Sequence, residues 1–121
     1  MRPDRFVVGE VRGGEVVDML AAMNTGHHGS FATCHANSAD DALLRLESLM
    51  LQHCGQWPRA AIAQHICAAI DVVISVGRHA DGSRSVIEIN EVSTTTGAPC
   101  RPLLRQDICG GVRSELRIGQ L

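Results

Sequence analysis

The chain has 121 residues, of which 45% are hydrophobic and 20% charged, with a net charge of −2; this suits one small globular domain and excludes a disordered chain. With no global excess of positive charge, neither nucleic acid nor an anionic membrane is an expected partner. All eleven basic residues are arginine, so these residues cannot hold a phosphate-cradling loop of the G-x-x-x-x-G-K-[ST] type, which needs a lysine.

Phe6-Val7-Val8 is a short apolar run behind a polar start, a pattern that predicts a fully buried strand. Gly13-Gly14 breaks it. From Glu15 to Met23 a helix is expected, with Val16, Leu20 and Met23 on one face and Val17 and Ala21 beside them. Asn24-Thr25-Gly26 ends it, with Gly26 as the stop. Ser30 to Ala36 reads as a second short strand. Ser38 followed three residues later by Asp41 is a helix-start signature. Behind it Ala42, Leu43, Leu46, Leu49 and Met50 form an apolar stripe. A third helix is expected from about Pro58 to Ala69, burying Ile62, Ile66 and Ala69. Asp71 to Val76 is a strand by composition, Ala80-Asp81-Gly82-Ser83 a turn, and Ser85 to Val92 the antiparallel partner. After Thr94 the pattern weakens: TTTGAP is a loop, Leu103-Leu104 can start another strand, and the last dozen residues are weakly patterned.

Strands alternating with helices predict a parallel sheet with helices packed on it. Two core strands are few for such a sheet. The chain therefore reads as part of a larger α/β domain that begins in mid-sheet, with an unpaired, aggregation-prone edge beside Phe6–Val8. MRPDRFVVGE has no basic region followed by an apolar stretch, so no signal peptide is expected. No apolar run approaches membrane-spanning length. The five cysteines (34, 54, 67, 100 and 109) form no C-x-x-C pair and are expected to be reduced thiols in a cytosolic protein.

In parallel α/β sheets, ligands bind beyond the carboxyl ends of the strands. Glu10 and His35 both lie at such ends. Two neighbouring strands would aim a carboxylate and an imidazole into one crevice, with Arg12 and Thr33 on the same rim. A carboxylate there can orient a water for attack on a phosphoryl group, or hold Mg²⁺ through water; an imidazole can contact a terminal phosphate. Taken singly, each residue has a plainer explanation: Glu10 as a solvated loop residue, Arg12 as half of a surface ion pair, His35 as a structural histidine. His27, His28, Cys34 and His35 offer zinc-ligand chemistry, but their spacing fits no familiar zinc pattern, and alternate strand residues face opposite ways. Thr33 and His35 would share a face while Cys34 points away, so no zinc is expected.

The stretch RPDRFVVGEVRGGEVVDMLAAMNTGHHGSFATCHANSADDALLRLESL closely resembles the type II/IV secretion-system ATPases, the GspE/PulE superfamily. Its RPDR…GEVRGGE…NTGH.GS…T.HANS flavour is most similar to the Tad/Flp pilus assembly (CpaF-like) branch. The likeness is strong over about residues 2 to 50 and looser to about 95. It implies that FVVGE is a Walker B segment with Glu10 as the catalytic glutamate, and that Arg12 is the arginine of the G-E-x-R segment. It implies that GHHGSFATCHAN is the histidine box, with His27 and His35 at its ends, Thr33 between them, and His35 as a sensor of the γ-phosphate. The implied fold is a partial RecA-like P-loop ATPase core with a C-terminal antiparallel hairpin, residues 1 to 121 being its Walker B and histidine-box half. The implied cofactors of the complete protein are ATP and Mg²⁺, and the implied assembly is a hexameric ring. That ring would be cytoplasmic, peripheral to the inner membrane, and would work with secretion or pilus platform proteins there. Without the phosphate-holding half, the chain is expected to be inactive alone. The alternative is a non-catalytic module that docks on an intact ATPase subunit.

Overall fold

The computed structural model describes residues 4–93, 100–107 and 111–113. They fall into two compact units, the first ending at Ile70 and the second starting at Asp71.

The first unit runs β1 (Val7–Val8), α1 (Glu15–Asn24), β2 (Phe31–Ala32), α2 (Ala39–His53) and α3 (Arg59–Ala69). β1 and β2 pair in parallel, Val7 opposite Phe31 and Val8 opposite Ala32, with α1 as the crossover that parallel neighbours require. α2 starts where its sequence says. Ser38 is extended, with φ −153°, and its hydroxyl accepts a hydrogen bond from the Asp41 amide at 3.1 Å. Asp40 and Asp41 put negative charge into the first turn, where the helix dipole favours it. Gly26 follows α1 with φ +104°, a conformation that needs glycine.

The core of this unit lies among the three helices. Val16, Met19 and Leu20 of α1, Leu43, Leu46, Leu49 and Met50 of α2, and Ile62 and Ile66 of α3 are all buried. Each such aliphatic side chain contributes about 1.5–3 kcal/mol relative to exposure. Polar ties close the surface: Arg59 pairs with Glu47 across α2 and α3, and Asn24 Nδ2 donates to the His65 carbonyl at 3.3 Å, joining the end of α1 to α3.

Four expectations change. The Phe6–Val8 strand is not buried: Val7 is 75% exposed, and so is 60% of Phe31 beside it, because no second layer covers that side among the described residues. Regular pairing of the second strand stops at Ala32 and does not reach Ala36. On α1 the inward set is Val16, Met19 and Leu20, an i, i+3, i+4 triplet; Ala21 is exposed, and Val17 and Met23 are only half-buried. On α3, Ala69 is likewise half-buried.

The second unit is a four-stranded antiparallel sheet in the order β3 (Val72–Arg78), β4 (Arg84–Val92), β5 (Cys100–Asp107), β6 (Gly111–Arg113). The expected hairpin is its first half, and the strand expected around Leu103-Leu104 is β5. The TTTGAP loop and most of the last dozen residues lie outside the described residues. The β3–β4 turn is held by the His79 amide on the Ser83 carbonyl at 2.8 Å and by Asp81, which accepts from the Ser83 amide at 2.8 Å. Gly82, at φ +88°, makes the turn possible. A bulge interrupts the ladder between Ser75 and Val76, which leaves Ile87 as the extra residue on β4. Its side chain lies over Gly77, where a Cβ would come within 2.9 Å of Ile87 Cγ2.

Among the described residues, no helix is long and apolar enough to cross a membrane. Cys34, Cys54 and Cys67 are free thiols.

Candidate functional site

The Phe31 amide donates to the Phe6 carbonyl at 3.0 Å, and the Thr33 amide to the Val8 carbonyl at 3.3 Å. An unbroken parallel ladder would next bond residue 10 to the Thr33 carbonyl. Instead the Val11 amide takes that carbonyl at 2.8 Å. One residue has been inserted, so the backbone bows out at Gly9-Glu10. The carbonyl of Gly9, displaced from the ladder, accepts a hydrogen bond from the Thr33 hydroxyl. Val11 plugs into the core at 1% exposure. Glu10 is thereby lifted onto the rim, between an anchored valine and a threonine clamp.

On that rim the carboxylate of Glu10 is divided between two partners. Oε2 accepts from Arg12 Nη2, and Oε1 lies 3.3 Å from His35 Nε2. The Glu10 side chain is 24% exposed, while Arg12 is 73% and His35 86% exposed. The hydrogen bond from Arg12, helped by the nearby charges of Arg12, His35 and Arg45, holds the Glu10 carboxyl below the usual carboxylate range. At neutral pH it is therefore ionised. A carboxylate held so acidic is a poor store for a proton, and suits orienting and polarising a water. Arg12 in turn is held charged above its ordinary range by the same bond.

Glu10, Arg12, Thr33 and His35 thus stand together at the carboxyl ends of adjacent parallel strands. His27 does not join them. Its ring packs edge-on against Phe6, with centroids 5.9 Å apart, at the opposite end of the strand pair. Its carbonyl accepts from Ser30 Oγ at 2.8 Å, and Ser30 Oγ accepts from the Phe6 amide at 3.2 Å. That chain of contacts fixes where β1 and β2 begin. Cys34 is half-buried, and desolvation pushes its thiol above the ordinary range. Among the described residues, no three His, Cys, Asp or Glu side chains gather at metal-holding distance. With both Glu10 oxygens engaged, direct ligation of a metal would cost one of those bonds, whereas contact through water would not.

Two neighbours of the site carry little signal in sequence. The charge of Arg45 of α2 helps lower Glu10 and opposes the rise at Cys34; as one arginine on a polar helix face it carries no signal in sequence. Glu15 holds the loop after Glu10 by its backbone, and the acidic residue closing G-E-V-R-G-G-E was the available cue.

A sequence profile described as Type II/IV secretion system protein matches residues 1–107. A Mycobacterium tuberculosis protein named for conjugal transfer is 49% identical over 89 residues, covering 74% of this chain and 25% of that protein. The type IV secretion system protein PtlH of Bordetella pertussis is 41% identical over 93 residues, 74% of this chain and 27% of PtlH. The crystal structure of the VirB11 ATPase from the Brucella suis type IV secretion system, in complex with sulphate, aligns with a TM-score of 0.67 at 34% identity, over 74% of this chain and 28% of that one. The chain spans about a quarter of the length of these relatives.

Proposed function

The chain belongs to the type II/IV secretion system protein family, and from that premise we propose that it carries the water-orienting half of an ATP-hydrolysing site in a secretion or pilus-assembly motor. One observation carries this: Glu10, Arg12 and His35 converge at the carboxyl ends of two adjacent parallel strands.

In this reading FVVGE is the Walker B segment, and the stretch from Gly26 to Asn37 is the histidine box. Glu10 orients the attacking water. Arg12 keeps Glu10 ionised and adds positive charge toward the phosphates. His35, its side chain 86% exposed, senses the terminal phosphate of ATP. Thr33 locks the bulge that presents Glu10. His27 supports the other end of the strand pair through Phe6. When bound, Mg²⁺ would neutralise charge developing on the phosphates, and Glu10 would hold it through water. The lysine-bearing phosphate loop lies outside these 121 residues, so the chain alone holds nucleotide weakly. Within the complete protein we place it in a homo-hexameric ring, in the cytoplasm and peripheral to the inner membrane, working with membrane platform proteins. Its branch is the Tad/Flp pilus type, on the strength of the RPDR…NTGH.GS…T.HANS flavour.

Glu10→Gln in the complete protein tests this. Hydrolysis should fall by about 10²–10⁴-fold, the usual worth of a positioned acid–base group, while ATP binding persists. Turnover within a few-fold of the unaltered protein would overturn it. The exposure of Val7 and Phe31 also favours a second reading, a non-catalytic module that docks this face on an intact ATPase subunit. A pull-down that returns no ATPase subunit would remove that one.

A further inference from the structure

Three successive backbone amides follow Glu10, and all three are bonded. The Val11 amide goes to the Thr33 carbonyl. The amides of Arg12 and Gly13 both donate to Glu15 Oε1, at 2.6 and 3.1 Å. Glu15 is the first residue of α1. In an ordinary capping box the glutamate sits at the third helical position and reaches back to the cap residue. Glu15 reaches further upstream, past Gly14, into the loop itself.

The double glycine makes room for this. A Cβ on Gly13 would stand 3.3 Å from Glu15 Oε2. A Cβ on Gly14 would stand 3.3 Å from the ring of His53, the last residue of α2. The charged groups facing Glu15 are Arg12 from the loop and His53 from α2.

We propose that Glu15 is a positioning residue: by holding the backbone of Arg12 and Gly13, it fixes the direction from which the Arg12 guanidinium meets Glu10. The catalytic meaning of this rests on the function proposed above. The physical link does not. An exposed arginine has many rotamers, and holding it to one carboxylate costs side-chain entropy. A fixed backbone on both sides removes part of that search.

The test is a titration of the 121-residue chain by nuclear magnetic resonance. The side-chain carboxyl carbons of Glu10 and Glu15 and the amide protons of Arg12 and Gly13 are followed against pH, in the unaltered chain, Glu15→Gln and Glu15→Ala. In the unaltered chain the two amide protons should move with the Glu15 carboxyl. In Glu15→Ala the Glu10 midpoint should rise toward the usual carboxylate value; Glu15→Gln, whose amide oxygen can accept the same bonds, should raise it less. A helix cap alone would lower stability and leave the Glu10 midpoint in place. Unchanged Glu10 titration in a folded Glu15→Ala chain overturns the proposal. If Glu15→Ala does not fold, Glu15→Gln decides in its place: a smaller rise of the Glu10 midpoint upholds the proposal, and an unchanged midpoint, or Arg12 and Gly13 amides in the unaltered chain that ignore Glu15, overturns it. Retained turnover in Glu10→Gln would remove the ATPase reading and leave this coupling standing.

Discussion

The two units are built on opposite plans. The first has only two residues in each strand, and its stability lies in three helices packed on one another. The second is antiparallel sheet throughout, held by long ladders, with a bulge in each of the first two, and by a tight turn. The candidate chemistry sits where the first unit is least regular, in backbone that has just left the β1–β2 ladder. Regular pairing uses up backbone groups and alternates side chains to both faces. The bulge at Gly9-Glu10 breaks that alternation and leaves a carboxylate on the rim.

This contrast can be broken by substitution. The largest effect on folding is expected in the helical core. Leu46→Ala should cost about 2–5 kcal/mol, seen as a lower urea midpoint for the first unit by tryptophan fluorescence from Trp57, its only tryptophan. A cost under 1 kcal/mol would mean that the helices are not the main support. Gly77→Ala probes the sheet. Overpacking against Ile87 costs about 1–3 kcal/mol, and the stiffer unfolded chain returns about 0.4–1 kcal/mol. A net loss should appear in the β-sheet circular dichroism transition, with a stabilised sheet as the contrary result. Ser38→Ala removes the α2 cap and should cost about 1 kcal/mol, with Ser38→Asp restoring most of it in the same melts.

The smallest effect is on pH dependence. The carboxyls of Glu10, Glu15 and Asp81 all lie below their ordinary range, held first by Arg12, by the Arg12 amide and by the Ser83 hydroxyl respectively. A depressed folded value stabilises above the unfolded one, and that stabilisation is lost as pH falls through the folded value. The melting temperature should therefore be flat at neutral pH and drop only in the acid range, below where free carboxylates titrate. Glu15→Gln should make that drop shallower. Stability that rises on acidification would contradict these assignments.

Much of this was legible in sequence. The Ser38–Asp41 cap and the α2 stripe follow from local chemistry and the helical period, and both stand in the structure. So does the meeting of Glu10 and His35, because parallel neighbours expose their carboxyl ends together. The exposure of Phe6–Val8 departs from its sequence because a continuous apolar run implies two covering layers, and the described residues supply one. The second strand is shorter than its composition suggests because composition carries no trace of Thr33 leaving regular pairing to clamp Gly9. Glu15 and Arg45 escaped because their roles depend on the path of a loop and the placement of a helix, neither of which has a period. The resemblance puts His27 and His35 at the two ends of one box, and the contact of His27 with Phe6 sets it at the other end of the strand pair from His35.

The most direct measurement is a structure of the complete protein with Mg²⁺, ADP and a metal-fluoride mimic of the transferring phosphoryl group. The account predicts the Glu10 carboxylate within about 3 Å of the attacking water, the reach that such catalysis needs, and the His35 imidazole against the mimic. A mimic bound with Glu10 and His35 both turned away from it would contradict the account.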